Sequence, residues 1–427
     1  MTGYKAWDGQ RQVEELGALR ERYDGFVARG LKLNMARGKP APEQLDLSNP
    51  LLTLLPDDVR PLDETGDDTR NYGNLLGIPE ARRLMGSILG VPASLVLVGN
   101  NSSLTLMYDT IARSMTLGVR GFTPWAQLEK VKFLCPAPGY DRHFAASAAF
   151  GITNIPIPMY EDGPDMEMVA HYVNTDAAVK GIWCVPKYSN PQGITYSDTV
   201  VRRFAALSPA AGDFRIFWDN AYAVHDLAVD AGDVLLDLKT VCDEGGNPDI
   251  WYQFASTSKI TFAGGGISAL ATSEDNLADI VRQIGFQAIG PDKVNQLRHV
   301  AFLRDLDGVR EHMRRHAAII APKFAVVLET LERELGGLGI AQWTHPRGGY
   351  FISFEGEPGT ARRTVELTKA AGVELTGAGA TYPYGEDYRD TNIRIAPTYP
   401  SVEELQTASE LLALCARIAA LEQLVGE

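Results

Sequence analysis

Phe254-Ala255-Ser256-Thr257-Ser258-Lys259 is the most informative stretch of this sequence, and Gly264-Gly265-Gly266 follows it closely. The mostly apolar residues 250–255 lead into three hydroxyl side chains and a lysine, a pattern that predicts a strand ending in a loop. A lysine in that position can form a Schiff base while the neighbouring hydroxyls bind a phosphate. A serine-rich turn with one solvated lysine has the same pattern, so the rest of the chain must distinguish the two interpretations.

The composition limits the class of protein. A chain of 427 residues is long enough for two domains. The formal charge of −14, from 40 basic and 54 acidic residues, disfavours general binding to nucleic acid or to an anionic membrane. Residues 1–8 lack the apolar core of a signal peptide, and the sequence has no apolar run long enough to span a bilayer. We therefore expect a cytoplasmic protein that binds neither nucleic acid nor membrane.

The cysteines indicate the same compartment. They lie far apart and form no CxxC pair, at Cys135, Cys184, Cys242 and Cys415. Three of them stand in apolar segments, which predicts reduced, buried thiols in a cytosolic protein.

Short apolar segments alternate with helical patterns over much of the chain, as in residues 95–99 followed by a predicted helix over 104–116. Strands that are spaced by helices predict a largely parallel sheet covered on both faces. The fold class is therefore α/β. The remaining predicted strands of this sheet are 131–135, 152–155, 181–185, 215–218, 250–255 and 267–272.

The pattern changes after about residue 306. A long helix is predicted over 309–335, and strands (350–354, 392–395) and helices (360–371, 402–422) follow it. A further helix is predicted near the start of the chain, over 10–29. We expect a large domain over 50–308 and a smaller α+β domain formed by 1–49 with 309–427, the long helix being the hinge between them.

Polar residues follow the predicted strands, at the edge where open α/β sheets bind their ligands. Asn101-Ser102-Ser103 opens a helix, where amides and hydroxyls suit a phosphate or form an ordinary helix cap. Asn190 stands in Pro186-Lys187-Tyr188-Ser189-Asn190-Pro191-Gln192-Gly193, which indicates a turn or a hydrogen bond to a ring hydroxyl.

Two charged residues lie within apolar strands. Asp219 ends the segment 215–218, and a buried aspartate needs a partner, such as a protonated pyridine nitrogen. Tyr222 lies three residues further on and could contact the oxygen of the same ring. Arg394, in Asn392-Ile393-Arg394-Ile395-Ala396-Pro397, suits a carboxylate that binds both arms of its guanidinium. Each residue alone could be an ordinary polar residue with a satisfied partner.

Taken in order, the motifs PxxxNPxG, D-x-x-Y, S-x-S-K and R-I-A-P resemble those of the fold type I pyridoxal-phosphate aminotransferases of class I/II. The resemblance runs from about Arg37 to Arg394 and implies a mainly parallel large domain with a smaller α+β domain. Residues 219–225 (DNAYAVH) and the Ala-Arg-Gly-Lys-Pro segment at 36–40 resemble a bacterial branch labelled MocR-like or alanine–glyoxylate aminotransferases. Members of that branch resemble aspartate aminotransferases.

The resemblance implies a role for each matching residue. Lys259, Asp219 and Tyr222 would be catalytic, with Lys259 linked to pyridoxal 5'-phosphate and Asp219 bound to its ring nitrogen. Further contacts to the cofactor would come from Tyr72, Asn101, Ser102, Ser103, Tyr140, Asn190, Ser256 and Ser258. Of these, Tyr140 would stack on the ring, and Tyr72 would reach the phosphate of the partner subunit, which implies a homodimer.

The resemblance also implies a substrate site. Arg394 would bind the α-carboxylate of the amino acid, with Asn190 beside it. Gly38 would lie in the loop that closes over the substrate. Arg37 and Arg142 are candidates for the distal carboxylate of a dicarboxylic substrate, and either could equally be a surface arginine.

One departure from the family pattern concerns the phosphate. The family carries an arginine several residues after the lysine, but residues 261–268 (TFAGGGIS) contain no basic residue. The phosphate would then depend more on backbone amides and hydroxyls, or on a basic residue from elsewhere.

Histidines offer an alternative site. His312 and His316 lie four apart on a predicted helix, a spacing that can bind a metal. Because three arginines flank them, we expect a solvated basic face and no metal. His225 could lie near the site, but we expect it on the side of a helix.

The expected activity is a two-step amino transfer between an amino acid, aspartate in the first place, and a 2-oxo acid such as 2-oxoglutarate. Lys259 would move the α-proton as general base. The alternatives are a lyase on the same scaffold or another substrate range, alanine or aromatic. A regulator with an aminotransferase-like sensor domain is disfavoured, because the 34 residues before Met35 are too few for a winged helix.

Overall fold

The computed structural model describes residues 3–55, 60–228 and 231–426. The predicted domain ranges also include residues 1, 2, 56–59, 229, 230 and 427, which lie outside the described residues. The strands are, in chain order, β1 Leu33–Asn34, β2 Val96–Gly99, β3 Lys132–Ala137, β4 Thr153–Tyr160, β5 Gly163–Pro164, β6 Val179–Cys184, β7 Arg215–Asp219, β8 Trp251–Ser256, β9 Ser268–Thr272, β10 Ala341–Trp343, β11 Ile352–Gly356, β12 Val373–Glu374 and β13 Asn392–Ile395.

The helices cover the apolar surfaces of the sheets. They are α1 Gly9–Ala28, α2 Pro42–Asp46, α3 Pro79–Leu89, α4 Ser103–Leu117, α5 Asp141–Ala149, α6 Met166–Thr175, α7 Asp198–Ala205, α8 Leu238–Glu244, α9 Glu274–Ile284, α10 Lys293–Leu303, α11 Leu306–Leu335, α12 Ala361–Ala370 and α13 Val402–Val425. Several of these helices begin at a residue whose side chain caps the helix N-terminus. At α13, Ser401 Oγ accepts from the amide of Glu404 and the Glu404 carboxylate accepts from the amide of Ser401, a capping box.

The central sheet has eight strands in the order β2-β9-β8-β7-β6-β3-β4-β5. Strands β4, β3, β6, β7 and β8 run parallel, whereas β9 is antiparallel to both β8 and β2. This confirms the predicted α/β class with a mainly parallel sheet. β4 continues past the predicted end at residue 155 through Pro156 and Pro158, which interrupt the strand pattern in the sequence.

Helices pack on both faces of this sheet. One buried face is formed with helices such as α3, α6 and α7 and contains Leu84, Val169 and Phe204. The opposite face contains Met107 of α4 and Phe144 of α5. The strands between them are buried from end to end, as expected of strands covered on both sides.

A second core lies under β10, β11 and β13, which form a three-stranded antiparallel sheet. It unites α1, α12 and α13 with the C-terminal half of α11, for example Phe324 and Val327. The N-terminal half of α11 contributes Val309 and Met313 to the core of the large sheet. The domain division and the hinge stay predictions, and a helix shared by two cores is in keeping with them.

Two further observations concern the cysteines and the helices. The four cysteines are buried and unpaired, as the sequence predicts. Within the described ranges, none of the helices is both long and apolar enough to cross a membrane.

The register of the parallel strands brings the predicted site together. β7 pairs with β8 so that Asp219 lies opposite Phe254, and the amide of Asn220 donates to the Phe254 carbonyl at 2.8 Å. Asp219 and the segment that leads to Lys259 therefore leave the same edge of the sheet.

Candidate active site

Lys259 lies just beyond the end of β8 and is partly buried. Its Nζ is 4.9 Å from the ring centroid of Tyr222 and 5.9 Å from that of Tyr350. Burial lowers the pKa of Lys259, and the carboxylate of Asp219 opposes this shift. A lysine with a lowered pKa has a larger neutral fraction near pH 7, which an amine needs to act as nucleophile or base.

Asp219 ends β7 and is 3% exposed. Its Oδ2 lies 3.0 Å from Nε2 of His143. Its other oxygen, Oδ1, is buried and has no hydrogen-bond partner among the described residues. A buried acceptor without a partner is costly, so this atom is suited to a donor that a ligand brings.

His143 is a site residue that the sequence analysis missed. It stacks on Trp183 at 4.4 Å between ring centroids with an interplanar angle of 11°, and Tyr140 packs edge-on against it at 4.8 Å. His143 comes three residues after Tyr140, so the start of α5 places both on one face. That spacing is a weak signal, because a single histidine on a helix is common.

Tyr222 and Asn190 lie on the same edge of the sheet and are both buried. Burial raises the pKa of Tyr222 well above its usual value, and the charge of Asp219 adds to the shift while that of Arg394 opposes it. The phenol therefore keeps its proton and can donate a hydrogen bond. Asn190 accepts through Oδ1 from Arg394 Nη1 at 3.2 Å, which leaves its amide nitrogen as a donor.

The hydroxyl-rich segment after β8 lies against the start of α4. Ser256 donates to Ser258 at 3.1 Å, and Ser258 donates to the carbonyl of Asn101 at 3.2 Å. The Asn101 side chain accepts from the amide of Gly266 and donates to a carbonyl of the glycine-rich loop. Both of its polar ends are thus occupied, and Asn101 ties this loop to the start of α4.

Ser102 and Ser103 stand at the N-terminus of α4. Ser102 is the N-cap residue of α4, but its side chain makes no capping hydrogen bond to the described residues. A cavity of about 220 Å³ opens beside Asn101 and Ser102. The first amides of α4 and the Ser102 hydroxyl could bind an anion.

Arg394 lies in the middle of β13 and is 8% exposed. Its Nη1 donates to Asp141 Oδ1 at 2.9 Å, and its guanidinium carbon lies 5.0 Å from the ring centroid of Phe351. A Cβ atom at Gly38 would meet that ring at 2.4 Å, so a side chain there would have to displace Phe351. The segment around Gly38, which is predicted to close over the substrate, thus packs on the Phe351 ring, and Arg394 lies beside the same ring.

The structure leaves three predicted residues at the surface. Tyr72 is 81% exposed, and Arg37 and Arg142 are also exposed. The position of Tyr72 is in keeping with a residue that acts outside its own subunit.

Two histidine predictions were wrong: the solvated face at His312 and His316, and the position of His225 on the side of a helix. His312 and His316 are buried rather than solvated, because α11 turns this face toward the interior, where the two rings contact each other and the carbonyl of Ile260. His225 is buried in a loop, not on the side of a helix, and its Nε2 lies 3.3 Å from the Lys259 carbonyl oxygen. Across the described part of the chain, no cluster of histidine, cysteine and acidic side chains has the make-up of a metal site.

These residues fit pyridoxal phosphate. The buried Oδ1 of Asp219 suits the protonated ring nitrogen, and the neutral fraction of Lys259 suits the aldehyde. The start of α4 with the serine hydroxyls suits the phosphate.

Comparison with known proteins identifies the family of the chain. The sequence model of the family described as "Aspartate amino-transferase" matches residues 10–427. An aminotransferase-named protein of Mycolicibacterium smegmatis is 51% identical over 407 residues, 95% of each chain. The aspartate aminotransferase of Corynebacterium glutamicum is 47% identical over 406 residues, which are 95% of this chain and 93% of that protein.

Solved structures also match this chain. The crystal structure of an aspartate transaminase from Corynebacterium glutamicum superposes with a TM-score of 0.95 at 45% identity, covering 98% of both chains. The α-aminoadipate aminotransferase of Thermus thermophilus, complexed with N-(5'-phosphopyridoxyl)-L-leucine, matches with a TM-score of 0.72 over 95% of both chains. At 19% identity, the second match shows the fold alone.

Proposed function

The chain belongs to the aspartate aminotransferase family, and from this premise we propose that it transfers the amino group of aspartate to 2-oxoglutarate. The products would be oxaloacetate and glutamate. The observation that carries the proposal is the pairing of a partly buried Lys259 with the unpartnered, buried Oδ1 of Asp219 at one edge of the sheet.

We propose pyridoxal 5'-phosphate as the cofactor. Lys259 would hold its aldehyde carbon and Asp219 its ring nitrogen. Contacts with the ring and its hydroxyl would come from Tyr140, Asn190 and Tyr222, and contacts with the phosphate from Ser102, Ser103, Ser256 and Ser258. When bound, the cofactor supplies an electron sink for the carbon that loses its proton.

The chain's own residues orient the substrate and move the proton. Arg394 binds the α-carboxylate through the nitrogens that Asp141 and Asn190 do not occupy. Lys259 Nζ takes the proton from the α-carbon and returns it to the acceptor carbon. His143 holds Oδ2 of Asp219 in place, and Tyr222 donates its proton in a hydrogen bond rather than losing it.

Aspartate is proposed as the substrate because a relative that is 47% identical over 95% of this chain carries the name aspartate aminotransferase. The distal carboxylate then needs a cation, and Arg37 and Arg142 are the proposed candidates. We also propose a homodimer, in which the exposed Tyr72 enters the partner's site. The cytoplasmic location stays a prediction from the sequence.

The activity is tested with purified protein, aspartate and 2-oxoglutarate. We expect oxaloacetate and glutamate in equal amounts, with no release of pyruvate or ammonia. Pyruvate or ammonia formed from aspartate alone would instead support a lyase. A strong preference for alanine or an aromatic amino acid would remove aspartate as the substrate and leave the aminotransferase class intact.

The role of Lys259 is tested by reduction with borohydride and peptide mapping. The reduced protein should carry the pyridoxyl group on the peptide that contains Lys259. Lys259→Ala should abolish that label together with the visible absorbance of the bound cofactor. A pyridoxyl group on another lysine of the wild-type protein would contradict the assignment.

A further inference from the structure

Gln44 lies outside the site described so far, in α2 of the N-terminal segment, and its side chain is completely buried. Its Oε1 accepts from the amide of Ala41 at 3.0 Å, and this donor determines which end of the side-chain amide is the oxygen. The Nε2 end therefore points inward. Its two protons face Tyr350 Oη and His316 Nδ1, both at 3.1 Å.

The first branch has a defined direction. Because Tyr350 accepts from Gln44, the phenol proton is left for another acceptor. The Lys259 carbonyl oxygen, which can only accept, lies 3.5 Å from Tyr350 Oη. Burial raises the pKa of Tyr350, so that proton stays on the phenol. The chain of hydrogen bonds thus runs from Gln44 through Tyr350 to Lys259.

The second branch ends on the next peptide. Because His316 accepts at Nδ1, its neutral ring carries the proton on Nε2. This atom lies 3.1 Å from Nε2 of His312, which in turn lies 2.8 Å from the carbonyl oxygen of Ile260. Burial lowers the pKa of both histidines, so both rings remain neutral. Gln44 therefore reaches the Lys259 carbonyl through Tyr350, and through His316 it contacts the histidine pair beside the Ile260 carbonyl.

The Lys259 carbonyl has one more donor, His225 Nε2 at 3.3 Å. The His225 ring packs edge-on between Tyr222, at 5.5 Å, and Tyr350, at 5.8 Å. The main chain at Lys259 is thus held from two sides by buried groups. Its position sets the direction in which the lysine side chain leaves toward the substrate.

We propose that Gln44 is a positioning residue for Lys259, acting through Tyr350 and His316 without contact with substrate or cofactor. This inference rests on the proposed function, because the proposed function assigns the proton transfer to Lys259. Gln44 and Gly38 belong to the same N-terminal segment, so the packing of that segment and the placement of the lysine are linked. A shift of about 1 Å at a reacting group can cost a hundredfold in rate.

The test uses the cofactor-loaded protein with Gln44→Met, which keeps the volume and removes the amide, and Tyr350→Phe, which removes only the hydroxyl. Each should lower kcat about ten- to a hundredfold and leave KM within about twofold. Each should also shift the pH midpoint of the visible absorbance of the cofactor bound to Lys259. The double variant should be no worse than the poorer single variant, because both remove the same chain.

The matched control is Tyr23→Phe, which also removes a bond from a tyrosine hydroxyl to a carbonyl, that of Leu367 at 2.9 Å, in the second core. It should change neither kcat nor the absorbance midpoint. Additive effects in the double variant, or Tyr350→Phe indistinguishable from the control, would overturn the proposal. If Gln44→Met does not fold, Tyr350→Phe alone decides.

Failure of the proposed function is recognised separately. If the proposed function is wrong, the wild-type protein will show no amino transfer. The pH midpoint of the cofactor's visible absorbance would still report how Lys259 is held.

Discussion

Arg394 donates from Nη1 to Asp141 Oδ1 at 2.9 Å, although the two residues lie 253 positions apart in the chain. The arginine proposed to bind the substrate's carboxylate thus already has a carboxylate of the protein beside it. Its Nε is buried and has no partner within the described residues, so part of the guanidinium remains for a ligand. Asp141, at the start of α5, is about one-third exposed and can move away.

The first prediction concerns this pair. Asp141→Asn removes a negative charge that competes with the substrate for Arg394, so KM for both the amino acid and the 2-oxo acid should fall about three- to tenfold. Steady-state kinetics with both substrates measure this. Asp198→Asn, which removes an acid from the first turn of another helix, is the control. A higher KM in Asp141→Asn would mean that Asp141 orients Arg394 instead.

The second prediction separates the two carboxylates of the substrate. Arg394→Ala should reduce kcat/KM about ten- to a hundredfold for aspartate and for alanine alike, the loss of a buried charge-assisted contact. Arg37→Ala or Arg142→Ala should cause a loss of that size for aspartate alone, because alanine has no distal carboxylate. If neither variant distinguishes the two amino acids, another group binds the distal carboxylate.

The third prediction concerns the dimer. Lys259→Ala and Tyr72→Phe subunits should each have low activity alone, and mixed dimers should recover activity because one of their two sites is intact. Activity is measured after the subunits have been mixed and exchanged. Tyr388→Phe, at another tyrosine that is 84% exposed, controls for loss of a surface hydroxyl. Mixtures no more active than their parents would show that Tyr72 does not act across the interface.

The fourth prediction concerns acid stability. Burial lowers the pKa of His316 to about 3 from its usual 6.5, so between these values the unfolded chain binds a proton that the folded chain does not. The contribution of His316 to the free energy of unfolding is therefore fully present above about pH 6.5. Below that pH it falls by up to about 1.4 kcal/mol per pH unit.

His316→Gln removes this titration and should weaken the pH dependence. Unfolding midpoints between pH 4.5 and 7.5 measure it, with His171→Gln at an exposed position as the matched control. An unchanged pH dependence in His316→Gln would mean that His316 does not titrate as its burial implies.

The sequence was sufficient for the α/β class because its signals are local. Alternation of apolar strands with helical patterns predicted the mainly parallel sheet, and the strand end at Lys259 could be located from a few neighbouring residues. Boundaries were less exact where prolines interrupt a pattern, as in β4. Lys259, Asp219 and Arg394 could be singled out because each interrupts an apolar strand or follows one, and the resemblance to the family implied their roles.

Other features depend on contacts between residues that are far apart in the chain, and no local pattern encodes them. His143 reaches Asp219 across 76 positions, and Gln44 reaches Tyr350 across 306. His312 and His316 were misjudged for the same reason, since flanking arginines indicate a solvated face unless the helix packs inward. Residue order therefore determined which groups the chain brings to the sheet edge, whereas packing of the helices and the N-terminal segment decided which of them touch.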